Sequence, residues 1–78
     1  MSTDPPPVTP RLREILCRAE ELAREHAGDV LGIEHVVLAA LEDERSVPAQ
    51  VLGQRADLAV LRGDLEHVMR SPGYRANL

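Results

Sequence analysis

Aromatic side chains are nearly absent from this sequence: among 78 residues there is one Tyr, and no Phe or Trp. A core without large rings has to be assembled from Leu, Val, Ile and Ala, a composition that suits helix packed on helix. Lysine is missing as well. The nine basic residues are all arginines, set against thirteen acids, for a net charge of −4. A chain of that balance lacks the cationic surface that non-specific nucleic-acid binding depends on, so no nucleic-acid partner is expected. Cysteine occurs once, at Cys17, which excludes a disulfide within the chain; a small residue at the edge of a helix packing face is its expected role. No apolar run approaches the roughly 18 residues of a membrane-spanning helix. The opening "MSTDPPPV" has neither the basic nor the apolar stretch of a secretory signal, so the expected location is the cytosol.

What is present reads as helices. "MSTDPPPV", residues 1–8, is expected to be an extended, flexible Pro-rich arm. From there Thr9 is placed to cap a helix that has Pro10 at its first position. Leu12, Ile15, Leu16, Ala19, Leu22, Ala23 and His26 recur at helical spacing to form its apolar stripe, and Gly28 is the expected stop. A second helix over about 33–43 has an uninterrupted apolar run from Val36 to Leu41, marking the most buried element. A third, short helix starts at the cap Ser46 and runs to about Gln54, with Val47, Val51 and Leu52 facing inward. A fourth starts at the cap Asp57, with Leu58, Leu61, Leu65 and Val68 as its stripe and Gly63 on its polar side. Pro72 and Gly73 end it, leaving residues 72–78 as a tail. No segment alternates with period two, so strands are not expected. The fold class is all-α.

"VTPRLREILCRAEELAREHAGDVLGIEHVVLAALED", then "SVPAQVL", then "DLAVLRGDLEHVM" together resemble the Clp N-terminal repeat, which opens the Hsp100 unfoldases of the ClpA, ClpB and ClpC type. Two pieces carry the resemblance: Thr-Pro-Arg leading a helix, and Gly32-Ile33-Glu34-His35 before an apolar helix. It implies a compact four-helix repeat over residues 9–71, one half of the family's eight-helix double-repeat domain. The chain has no Gly-rich phosphate loop ending in Lys and Ser or Thr, so no ATPase module is expected in it. Ile33 stands where the family commonly has Thr, and removes a hydroxyl expected to cap the second helix.

The family's N-terminal domains recruit substrates and adaptors. The implied function is therefore a non-catalytic protein-binding module, an accessory or decoy in Clp-dependent proteolysis, with a Clp ATPase, an adaptor or a substrate as partner. The ClpC type further resembles a reader of phosphorylated arginine. There the Glu of the motif pairs with the guanidinium, while the Thr opening the first helix and nearby amides hold the phosphate. On this chain those positions are Glu34 and Thr9. Bidentate carboxylate–guanidinium pairing and anion binding at a helix N-terminus are both sound chemistry. The simpler reading is also open: Thr9 is an N-cap, and Glu34 sits in a first turn where the helix dipole favours a negative charge.

His35 reads as a packed core residue, and His26, His67 and Cys17 lack zinc-ligand spacing, so neither metal nor cofactor is expected. No nucleophile–base pair points to an enzyme. A small helical DNA-binding regulator is the remaining alternative, weakened by the single Arg in "SVPAQVLGQR". A lone repeat also leaves uncovered the face that meets its twin in a double domain, and a homodimer would cover it.

Overall fold

A computed structural model describes residues 6–26 and 30–74 of the chain. Four α-helices make it up: α1 (Pro10–His26), α2 (Ile33–Glu42), α3 (Val47–Gly53) and α4 (Leu58–Met69). Among the described residues there is no strand, and the all-α four-helix architecture stands.

Local chemistry fixes the helix starts. The Thr9 hydroxyl accepts from the Leu12 N–H at 3.1 Å, satisfying one of the free donors that open α1. Ser46 does the same for α3, accepting from Ala49 N–H while its own hydroxyl donates to the Ala40 carbonyl at 2.9 Å. One buried serine thus ties the start of α3 to the last turn of α2. At α4, the Asp57 carboxylate accepts from Ala59 N–H at 2.9 Å. The stop expected at Gly28 lies outside the described residues.

α2 starts differently from expectation. Its cap is Gly32, in extended backbone, and Ile33 is already the first helical residue. A hydroxyl at position 33 would sit one place past the cap. The capping bond instead runs backwards: the Gly32 N–H donates to Nδ1 of His35 at 2.8 Å. Histidine at the third helical position takes the part that Glu or Gln plays in a capping box.

α1 and α2 run in opposite senses, joined by a short connection. Arg11 at the start of α1 reaches Asp43, just past the end of α2, at 2.7 Å, and Arg18 pairs with Glu42 at 2.7 Å. Between them lies the core. Ile15, Ala19 and Leu22 of α1 pack with Leu38 and Ala39 of α2, and Met69 of α4 closes the cluster. Ala19 and Leu38 are fully buried. Alanine at 19 and 39 lets the two helices approach closely, which is how a core without rings is filled.

Five inward assignments are corrected, the first being Leu12 of the α1 stripe, which is 37% exposed. On α3, Val47, Val51 and Leu52 are exposed, at 71%, 55% and 41%, and Ala49 is the buried residue. The Ser46 anchor fixes the rotation of this two-turn helix, and it points Ala49 at the core. On α4, Val68 is 60% exposed and Met69 is buried in its place. The helix is turned so that the Met69 side chain reaches between α1 and α2, which leaves Leu61 and Leu65 half-buried. Cys17 is exposed, on the side of α1 away from the core rather than at the edge of the packing face. α2 itself is less enclosed than its composition suggests, because Val37 is 39% and Ile33 68% exposed.

Candidate functional site

α2, α3 and α4 all contribute side chains to one concavity. The result is a groove of about 590 Å³. Its walls are apolar: Val37 and Leu41 from α2, Leu52 from α3, and Leu61, Leu65 and Val68 from α4. Of the residues that broke the expected inward pattern on α3 and α4, Leu52 and Val68 are wall residues of this groove, while Val47 and Val51 lie outside it. Among the exposed apolar residues, Val37, Leu52 and Val68 share this one concave surface.

Three polar side chains enter the lining, Glu34, Asp64 and Tyr74. Glu34 projects from the first turn of α2. The Tyr74 hydroxyl donates a hydrogen bond to its Oε1 across a sequence separation of 40 residues. Tyr74 arrives there because Gly73, at φ +84°, takes the left-handed conformation that an L side chain rarely adopts. The chain turns back after α4, with the Tyr74 N–H bonded to the Ser71 carbonyl at 3.2 Å. The ring then packs against the core cluster. Residue 74 was expected in a tail; it is a packed residue.

Gly32 is fitted to the same arrangement. A Cβ there would lie 2.6 Å from Oε1 of Glu34, so any larger residue would push the carboxylate off its Tyr74 partner. Burial works to raise the Glu34 carboxyl, but the Tyr74 hydrogen bond and its own backbone N–H outweigh it and hold the group below its ordinary range. At neutral pH Glu34 is a carboxylate. Among the described residues, the titratable contact of Glu34 that resembles an ion pair is with His35, whose Nδ1 is 4.0 Å away. That nitrogen already accepts the Gly32 N–H, so it carries no proton and the contact is not a salt bridge.

The Tyr74 phenol is pushed up to about 12 by burial first and by its bond to Glu34 second. The protonated phenol is the form the fold favours, so its contribution to stability is complete below its ordinary value of 10.0 and is lost as pH rises from there through about 12. Tyr74 is the sole tyrosine and the chain has no lysine, so an ultraviolet titration reads this group alone. The phenolate should form near pH 12 in the wild-type protein, and Glu34→Gln should bring the midpoint back toward that of free tyrosine. An unchanged midpoint in the variant would dissociate the two groups.

The two residues singled out by resemblance are not brought together. Thr9 lies beside the Arg11–Asp43 pair at one end of the α1–α2 hairpin, whereas Glu34 opens α2 at the other. The nine-residue helical rise from Glu34 to Asp43 is about 14 Å. Thr9 Oγ1 is moreover occupied as a helix cap. His35 is fully buried, its Nδ1 serving the cap and its Nε2 having no protein partner. Among the described residues no three His, Cys, Asp or Glu side chains converge as a metal site, and no helix is long and apolar enough to cross a membrane.

Over residues 6–72 the sequence matches the family described as the Clp repeat (R) N-terminal domain. It is 32% identical over 60 residues to "Chaperone protein ClpB 1" of Nostoc sp. (strain PCC 7120 / SAG 25.82 / UTEX 2576), an alignment that takes in 77% of this chain and 7% of that protein. The chain therefore spans only a small fraction of the length of this curated relative. No solved structure matches it.

Proposed function

Since this chain belongs to the family of the Clp repeat N-terminal domain, we propose that it is a non-catalytic protein-binding module that docks an apolar segment of a partner in the α2–α3–α4 groove. The observation that carries this reading is the groove itself: six aliphatic side chains from three helices, several of them more than a third exposed, around one concavity. A surface of that kind on a small protein marks an interaction site. Catalysis finds no support there, because His35 is turned into the cap and does not face Glu34 as an acid–base partner.

The partner in this reading is a Clp ATPase, one of its adaptors or one of its substrates, with the chain as accessory or decoy in Clp-dependent proteolysis. Adding the purified chain to a reconstituted Clp ATPase–protease and following degradation of a model substrate tests it. An accessory raises the rate and a decoy lowers it, and Leu61→Glu, which puts a charge in the groove wall, removes either effect. A rate unmoved by saturating wild-type chain would contradict the proposal.

Phosphoarginine recognition is the second reading. What favours it is Glu34, an ionised carboxylate without a cationic partner among the described residues. What weighs against it is the distance to Thr9 within one chain. A homodimer through the groove is a further possibility for the uncovered face. A twofold axis there would bring the acidic groups of two chains, each of net charge −4, toward one another, which favours a different partner.

A further inference from the structure

Resting on the docking reading above, we propose that the occupant of the groove is an amphipathic α-helix of the partner, about three turns long and with an aliphatic stripe, and not an extended segment.

The walls carry the pattern of a helix-packing surface. Leu61, Leu65 and Val68 stand at i, i+4 and i+7 on α4, and Val37 and Leu41 stand at i and i+4 on α2. Side chains spaced in this way form ridges, and a further helix can seat its own i, i+4, i+7 row against them. From Leu61 to Val68 the rise along α4 is about 10 Å, or about two turns. A partner helix of about three turns covers that length with frayed ends to spare.

Hydrogen bonding decides between helix and strand. The amides of the wall residues are bonded within their own helices, beginning with Leu61, whose N–H goes to the Asp57 carbonyl at 3.1 Å. The Glu34 N–H is taken by its own carboxylate. The Tyr74 N–H goes to Ser71 and its hydroxyl to Glu34. The other lining side chains are aliphatic, a thioether and the Asp64 carboxylate, none of which donates. Among the described residues, nothing in the lining has a donor left for an incoming carbonyl. The Leu41 carbonyl is occupied too, by Arg62 at 3.0 Å. An extended segment pressed onto these walls would have its amides desolvated and unpaired. Among the described residues there is no strand either, so no sheet edge offers it a ladder. A helix arrives with its backbone bonds closed within itself and presents only side chains to the walls.

Three labelled peptides of about twelve residues test this by fluorescence anisotropy. All carry four leucines in an uncharged alanine and glutamine background, which keeps cations out of the contact. The first spaces the leucines as a helical stripe. The second has the same composition with the leucines alternating. The third repeats the first with two off-stripe alanines replaced by 2-aminoisobutyrate, which stiffens the helix. The helical-stripe peptide should bind and gain helical circular dichroism on binding. The stiffened one should bind about tenfold more tightly, because less ordering remains to be done, and the alternating one about tenfold more weakly. Val68→Glu places a charge in the wall at a position 60% exposed, where the fold is spared, and should remove binding. Equal binding of the alternating and helical-stripe peptides, or no gain from stiffening, would overturn the helical occupant and leave apolar docking standing. Failure of all three at millimolar concentration would overturn the docking reading as well. A sedimentation mass of two chains that Val68→Glu halves would then assign the groove to a second copy.

Discussion

Leu38→Ala should lower the unfolding free energy by about 2–5 kcal/mol, the range for truncating a fully buried leucine. Leu38 is the largest apolar side chain in the molecule with no exposed surface, and it packs in the cluster shared by α1, α2 and α4. The loss is large here because so little stands behind it. A domain of this size buries only about 60% of its unfolded surface. At about 4–8 °C per kcal/mol for small domains, the melting temperature should fall by more than about 10 °C. Thermal unfolding followed by circular dichroism reads it. A fall of only a degree or two would mean that the seam collapses around the void, and that α2 is not the central element.

The second large effect is expected at His35. His35→Ala removes the acceptor for the Gly32 N–H and empties the space of a fully buried ring. Loss of a cap costs about 1 kcal/mol, and the void adds to it, for a total of about 2–4 kcal/mol. One contribution opposes this: the buried Nε2 has no protein partner, and removing such a group returns part of its desolvation cost, about 1–3 kcal/mol. The predicted net is a destabilisation, smaller than that of Leu38→Ala. His35→Gln supplies an amide oxygen at the capping-box position and should recover part of the loss. Equal stability of His35→Ala and wild type in urea titrations would show that the Gly32–His35 bond does not hold the start of α2. A ligand role for His35 makes a different forecast, a change in binding without a change in stability.

The helices themselves were legible because their signals are local. Thr9, Ser46 and Asp57 are side-chain caps whose bonding partners lie within three residues, and each starts a helix where its chemistry says it should. Most of the stripe of α1 was equally plain, since Ile15, Ala19, Leu22 and Ala23 are the buried residues of that helix, whereas Leu12 at its start is exposed. Rotation of the short helices was not legible. α3 has apolar residues on several sides, and what selects Ala49 as the inward one is the bond from Ser46 to Ala40, a contact between elements. In α4, Val68 and Met69 are neighbours of similar apolarity, and only the space between α1 and α2 decides for the longer side chain.

The candidate site divides in the same way. Glu34 was readable through its motif and the first turn of a helix. Its bond to Tyr74 spans 40 residues and depends on the left-handed turn at Gly73. The signal available in the sequence was that the sole aromatic residue follows a Pro-Gly helix stop, and a lone large side chain in a core of small ones seldom stays idle. Asp64 carried no signal, because one more acid on an acidic helix reads as solvated surface. The groove could not be foreseen, since its walls are residues that the periodicity had assigned to the core.

Nuclear magnetic resonance titration of the isotopically labelled chain with a peptide carrying a helical leucine stripe measures the docking surface residue by residue. The shifts should concentrate on Val37, Leu41, Leu52, Leu61 and Val68 together with Glu34, and leave the Thr9 end of α1 and the exposed Cys17 unmoved. Shifts centred on the start of α1, or none at millimolar peptide, would contradict a binding site in the groove between α2, α3 and α4.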